Sequence, residues 1–371
     1  MNMDHINVCI IGGGVVGLAI GKKLSKITNT IVLEKEKSIF TSTSSRNSEV
    51  IHSGIYYKTN SLKHTLCLEG NKELYRYCLN KKIKHSAIGK LIIADDSELD
   101  KLSIIFNQGK KNQVSNIKFL EKKDILKIEP NIRAQHAIFS ETTGIVDTHE
   151  LGVNLENDII NNNSYVLKNS KFLSAEQYES LIKITIKNPD NTLYEFTSNV
   201  LINSAGLDSV DVDNKINLFQ NRPKLESFPV KGNYFSYSGK NTLNHLIYPI
   251  PNKYGLGIHS TIDTSGALKF GPDVELNNSS YLVSTERKNN FEKSIIKWWP
   301  DFDAKKLQPS YSGFRPKIKV NEVVSDDFLI FEDTISNNVL ISLHGIESPG
   351  ITASFAIANR CLKYINNNMF F

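Results

Sequence analysis

Val8-Cys9-Ile10-Ile11-Gly12-Gly13-Gly14-Val15-Val16-Gly17-Leu18-Ala19-Ile20 reads as a buried strand, a tight glycine turn and a helix that hides small apolar residues. Gly12 permits the turn, Gly14 lets the backbone approach a pyrophosphate, and Gly17 lets the helix pack close to the strand. The helix dipole and the amides beginning at Val15 then face the phosphates. Ile31-Val32-Leu33 follows as a second strand. Glu34, with Lys35 behind it, stands at the spacing where a carboxylate accepts both hydroxyls of an adenosine ribose. Strand, glycines, helix, strand and acid in this order predict a dinucleotide cradle suited to FAD or NAD rather than NADP. A glycine-rich loop with no ligand is the plain alternative.

The 371 residues, 40% of them hydrophobic, suffice for two domains or one large α/β unit. Lys and Arg total 44 against 39 Asp and Glu, a net charge of +5 that is scattered along the chain and gives little support to nucleic-acid binding. Cys9, Cys67, Cys78 and Cys361 form no Cys-x-x-Cys pair, so zinc sites, other metal sites and a disulfide framework are not expected. The start lacks a basic segment followed by an apolar core, and no stretch approaches the ~20 apolar residues that span a bilayer. The expectation is a cytoplasmic protein whose membrane contact, if any, is peripheral.

Beyond the second strand, Thr41 to Ser48 is a hydroxyl-rich loop, and Ser61 to Leu79 has helical apolar spacing. Strands are expected near 88–94 and at Ala137–Ser140, a helix near 97–108, and a helix capped by Thr148. From Tyr165 to Val200 the pattern alternates as antiparallel strands do, with a turn at Asn188-Pro189-Asp190-Asn191. Val200-Leu201-Ile202-Asn203 then runs into Ser204-Ala205-Gly206, a strand ending in small residues that returns the chain to the cofactor. Residues of about 215–325 read as strand-rich and aromatic, and the tail as a strand at Ile341–Leu343, a loop from Gly345 to Gly350 and a helix from Ile351 to Ile365.

Glu34-Lys35-Glu36, Ser44-Ser45-Arg46-Asn47-Ser48-Glu49-Val50-Ile51-His52-Ser53-Gly54-Ile55-Tyr56-Tyr57, Thr143-Gly144-Ile145-Val146-Asp147, Phe270-Gly271-Pro272-Asp273-Val274-Glu275, Gly313-Phe314-Arg315-Pro316-Lys317 and Gly345-Ile346-Glu347-Ser348-Pro349-Gly350-Ile351-Thr352 together resemble the FAD-dependent L-2-hydroxyglutarate dehydrogenases over nearly the full chain. Two departures stand out: Asn203-Ser204-Ala205-Gly206 where the family pattern has Asn-Ala-Ala-Gly, and a polar stretch at 209–220 short of the alanines expected of a helix. The resemblance implies a glycine-oxidase-like α/β architecture (α+β overall), with a Rossmann-like FAD-binding domain and a mostly antiparallel β-sheet substrate domain over the flavin. The expected division gives 1–85, 141–215 and 326–371 to the FAD-binding domain, and 86–140 and 216–325 to the sheet domain. The cofactor contacts it implies are Gly12, Gly14, Val15, Gly17, Glu34, Lys35, Ser44, Ser45, Arg46, Val166, Ala205, Gly206, Gly345, Gly350 and Ile351.

Oxidising a 2-hydroxy acid on a flavin requires a base for the hydroxyl proton and cations for the carboxylates. Arg315 offers a guanidinium fork for the 1-carboxylate. Lys231, Tyr248 and His259 stand on candidate sheet-domain strands where they could receive the second carboxylate of a five-carbon diacid. His52 is the first choice for the base, with a flavin-packing or flavin-tethering role as its competitor; His259 and His344 are the other candidates. The resulting expectation is FAD-dependent oxidation of L-2-hydroxyglutarate to 2-oxoglutarate, with electrons passed to a quinone or another acceptor. The alternatives are an amine or amino-acid oxidase of the same fold, an NAD-dependent dehydrogenase, and a flavin-binding protein without turnover.

Overall fold

The computed structural model describes residues 3–218, 222–251, 257–335 and 337–368. It divides into two compact units: Met1–Ser45, Thr148–Pro229 and Arg315–Phe371 form the first, and Arg46–Asp147 with Val230–Phe314 the second.

A six-stranded sheet organises the first unit, in the order Leu329–Ile335, Asn338–His344, Val200–Asn203, Val8–Ile11, Thr30–Leu33, Tyr165–Leu167. Only the Leu329–Ile335 edge strand runs antiparallel to its neighbour. The central strands are buried at every position, and this explains why they read as continuous apolar runs rather than alternating ones. Three helices, Val15–Leu24, Thr148–Asn161 and Gly350–Asn368, supply the buried apolar faces. A separate antiparallel sheet of Lys171–Tyr178, Leu181–Lys187 and Leu193–Ser198 buries alternate residues Ile182, Ile184 and Ile186 against Phe196. Parallel register aligns Ile11 with Asn203 and Asn203 with Ser342. The turns at Gly12–Gly14, Ser204–Gly206 and Gly345–Gly350 therefore gather at one carboxyl edge, where open α/β sheets place their ligands.

In the second unit a four-stranded sheet runs in the order Leu246–Pro249, Lys90–Ala94, His136–Ser140, Ile117–Glu121, with only the first pair parallel. The helix Leu62–Lys81 starts where Ser61 Oγ accepts the His64 amide at 3.2 Å, and it stops at Lys82 in the left-handed region. Leu99–Lys111 is a second helix. An aromatic core of Phe235, Phe270, Phe291, Trp298, Trp299 and Phe302 fills the far side of the unit.

The fold class is the expected one, but the boundaries fall elsewhere. Residues 46–85 belong to the second unit because Val50–Ile51 pairs with Ile145 and Gly144, and Asn71 donates to the His52 and Thr142 carbonyls. Residues 216–229 and 315–325 belong to the first, where Asn321 donates to the Lys224 carbonyl and Val320 pairs with Val323. The stretch expected to be strand-rich also contains a helix, Lys288–Ile295, whose Phe291 and Ile295 share one face and feed the aromatic core. The polar stretch at 209 holds only the short helix Ser209–Asp213, and 219–220 lie outside the described residues.

Candidate functional site

The glycine turn needs its glycines. Gly12 has φ +108°, and a Cβ there would stand 2.6 Å from the Ser204 carbonyl oxygen; one on Gly17 would run into the Gly12 carbonyl. The Gly13 amide donates to Glu34 Oε2 at 2.9 Å and the Glu36 amide to Oε1 at 2.8 Å, so the carboxylate is fixed before any ligand arrives. Each oxygen keeps a lone pair for a hydroxyl. Burial raises the Glu34 pKa, against the opposing pull of those two amides. The helix Val15–Leu24 begins at Gly14 without a side-chain cap from that residue and without an acid in its first turn. Ser44 Oγ accepts the Val15 amide at 3.0 Å.

These features fit the pyrophosphate and ribose of a dinucleotide: a cradle that side chains would fill, a helix end lacking negative charge, and a fixed acid. Lys35 pairs with Asp208, Ser45 Oγ donates to the Ser42 carbonyl, and Val166 stands opposite Val32 on the edge strand. Ala205 donates its amide to Asn203 Oδ1 at 3.1 Å, Gly206 and Gly345 have positive φ, and Gly350 and Ile351 open the last helix. All the expected cofactor residues but one thus lie in the first unit. Arg46 opens the second unit, with its guanidinium 4.5 Å from the centre of the Tyr281 ring.

The second unit assembles a different cluster. His52 follows Val50–Ile51, and its carbonyl is held by Asn71 Nδ2 at 3.0 Å and by the Cys67 thiol at 3.4 Å. The Tyr248 and His259 rings stack at 3.8 Å and 19°. Lys90, 1% exposed, places its ammonium 4.7 Å from the Tyr56 ring centre and 4.8 Å from that of Tyr248. Tyr234 stacks on Tyr311 at 4.5 Å and meets Ser48 Oγ through its hydroxyl at 3.0 Å. Burial, then the charges of Lys90 and His259, push the His52 imidazole down to about 3. Burial likewise lowers Lys90 to about 7 and drives the Tyr248 phenol well above its ordinary range. The causes of these three shifts are burial and neighbouring lysine, histidine, cysteine and tyrosine side chains. The cluster holds a buried lysine among aromatic rings, and it can receive an anion.

Two further expected substrate residues have polar partners within the protein, and a third, Arg315, lies at a unit boundary. Lys231 Nζ donates to the Leu282 carbonyl at 2.6 Å and pairs with Glu275 at 3.2 Å. It belongs to a partly buried network in which Asn233, Asp273 and Arg287 tie the Phe270–Glu275 segment to its strand. His344 is fully buried, with Nδ1 3.0 Å from Ser209 Oγ and Nε2 2.9 Å from Asp213 Oδ2. Burial alone would raise Asp213; the hydrogen bonds from His344, Asn203 and Ser342 outweigh it and bring the pKa down. His344 therefore knits the end of its strand to the short helix Ser209–Asp213. Arg315, half-buried, is the first residue of the last segment of the first unit.

Sequence reasoning missed Lys90, Tyr56, Tyr234 and Tyr311. One signal was there: Lys90 opens a strand, Lys90–Ala94, that is otherwise wholly apolar and is buried at all five positions, and a lysine in such a run is rarely placed there for solubility.

The family described as DAO, FAD dependent oxidoreductase, matches residues 7–361. The chain belongs to this family. It is an FAD-dependent oxidoreductase. The enzyme is similar to a mitochondrial L-2-hydroxyglutarate dehydrogenase of Arabidopsis thaliana, 35% identical over 96% of this chain and 82% of the relative. It is also similar to a glycerol 3-phosphate dehydrogenase of Caloramator mitchellensis, 28% identical over 97% and 74% of the two chains. Among solved structures, the L-alpha-glycerophosphate oxidase of Mycoplasma pneumoniae, determined with FAD bound, superposes with a TM-score of 0.87 at 22% identity over 98% of this chain and 95% of that one. That likeness establishes the fold alone.

Proposed function

We propose that the enzyme oxidises L-2-hydroxyglutarate to 2-oxoglutarate. The observation that carries this reading is the Arabidopsis relative's 35% identity across almost the whole chain; the buried Lys90 ammonium beside His52 supports an anionic substrate. In this reading the first unit holds the cofactor and the second receives the substrate. When bound, FAD supplies the acceptor for the hydride leaving the α-carbon.

His52 takes the hydroxyl proton. At neutral pH its imidazole is uncharged, the form that can accept a proton. A substrate dianion in the cluster offsets the repulsion from Lys90 and moves the His52 pKa back towards the working range as the proton arrives. The tyrosine rings exclude water and keep both effects strong.

Arg315 is proposed to bind the 1-carboxylate through two parallel hydrogen bonds. Arg315→Leu is expected to lower kcat/KM by ~10- to 150-fold, the range for a charge-assisted hydrogen-bonded pair, with FAD content unchanged. Equal kinetic constants in the variant would return Arg315 to a structural role.

Electrons are proposed to leave to a quinone or another acceptor rather than to NAD, since the one dinucleotide cradle read from the sequence is taken by FAD. No described helix is long and apolar enough to cross a membrane, and quinone access is proposed to be peripheral, from a cytoplasmic location. The deciding experiment is anaerobic: the yellow holoenzyme is mixed in turn with L-2-hydroxyglutarate, its D-enantiomer, glycerol 3-phosphate, glycine and sarcosine. Bleaching by L-2-hydroxyglutarate alone is expected. Bleaching by glycerol 3-phosphate or an amine instead would replace the substrate, and turnover with a soluble quinone analogue, oxygen and NAD in parallel identifies the acceptor.

A further inference from the structure

We propose that Lys90 is an anchor for a carboxylate of the substrate, a buried cation with no anionic partner among the described residues. The inference rests on the reading of the enzyme as a hydroxy-diacid oxidoreductase and says which residue makes it select acids.

Lys90 opens the strand Lys90–Ala94 and is 1% exposed, yet among the described residues it has neither a hydrogen-bond acceptor nor a carboxylate partner. Its surroundings can be named element by element. The Tyr56 ring follows the Val50–Ile51 strand, Tyr248 comes from the parallel neighbour Leu246–Pro249, Cys67 from the helix Leu62–Lys81, and His52 from the end of Val50–Ile51. Ser140, opposite it on the antiparallel neighbour, is neutral. Burial drives the Tyr56, Tyr248 and Cys67 groups up, so that they stay protonated, and holds His52 neutral. None of them supplies a negative charge near pH 7.

Two ring faces attract an ammonium but do not neutralise it, and buried charges in proteins are ordinarily paired. A second orphan lies beside the first: the Tyr56 hydroxyl is buried with no hydrogen-bond partner among the described residues. A missing acceptor next to a missing anion describes one ligand group, a carboxylate, which takes a charge-assisted bond from the ammonium and can take the phenol proton donor as well. Lys231, by contrast, already has an anionic partner in Glu275 and a further acceptor in the Leu282 carbonyl.

The anchor must be protonated to bind. With the free Lys90 pKa near 7, affinity for a dicarboxylate is full below that value and falls as pH rises through it, because above it a proton must be taken up on binding. Steady-state kinetics of the holoenzyme with L-2-hydroxyglutarate between pH 6 and 9 test this. Lys90→Met is expected to raise KM by ~10- to 150-fold, with a much smaller change in kcat, and to abolish the rise of KM above pH 7. Lys90→Arg, charged throughout, is expected to bind more tightly than Lys90→Met and to show no rise.

An unchanged KM in folded, FAD-loaded Lys90→Met would overturn the proposal, as would a persistent rise of KM above pH 7 in Lys90→Arg. That second variant decides the matter if the first fails to fold. If the wild-type enzyme does not oxidise L-2-hydroxyglutarate, the substrate reading fails by itself. Calorimetric titration of the same proteins with glutarate, whose charge is constant over this range, then tests Lys90 without turnover, and equal affinity in wild type and Lys90→Met would refute the anchor.

Discussion

Gly14→Val is expected to give a folded, colourless protein. The residue precedes the helix Val15–Leu24, and a Cβ there would stand 3.0 Å from Ser44 Oγ, the atom that holds the Val15 amide. Valine adds two methyl groups beyond that Cβ, in front of the amides that a pyrophosphate would occupy, and displaces the serine as well. Gly14 is not in the left-handed region, so the backbone itself tolerates a side chain; its φ is −81°. The damage should fall on the ligand and not on the fold. The check is the flavin-to-protein absorbance ratio after purification with added FAD, alongside far-ultraviolet circular dichroism. A yellow variant with wild-type flavin content would show that the pyrophosphate does not pass over Gly14.

His52→Ala carries the next largest expected loss, a fall of ~10²- to 10⁴-fold in the anaerobic rate of flavin reduction, the usual contribution of a positioned base. Substrate affinity should change far less, since the imidazole is neutral in the free enzyme and contributes no charge to anion binding. For the same reason the wild-type kcat/KM should show no acid limb from His52 between pH 5 and 7: the group is already deprotonated above about 3. Stopped-flow reduction over a substrate series separates the two constants. Unchanged reduction kinetics would remove His52 as base and leave His344 or His259, the latter stacked on Tyr248 in the same cluster.

The cofactor half of the enzyme was legible from the chain because its signals are local. Gly12, Gly14, Gly17 and Glu34 lie within 23 consecutive residues, and each acts through backbone geometry, close approach or hydrogen bonds made within that stretch. The substrate half was legible only in part, because its members come from distant strands. His52, Tyr248 and His259 were singled out from short motifs, and the structure does bring them into one unit. Lys231 and His344 are residue types that suit substrate binding equally well, but sequence does not reveal that Glu275 and Asp213 lie waiting for them. Lys90 was overlooked for the converse reason: a lysine is unremarkable until its burial is known. The boundary errors share this origin, since the pairing of Val50–Ile51 with Gly144–Ile145 links segments almost a hundred residues apart and carries no local mark.

Cys67 offers a built-in gauge of how tightly the substrate cluster is held. Its thiol is fully buried, bonds the carbonyl of His52 and is driven by burial far from its reactive thiolate form. An alkylating reagent can reach it only when the helix Leu62–Lys81 and the His52 segment part. The rate of modification therefore measures the free energy of that local opening, independently of turnover. A diacid that bridges the cluster would close the gap and slow the labelling, so the same sulfur that takes no part in the chemistry reports, in minutes or hours, how firmly the residues around it are clamped.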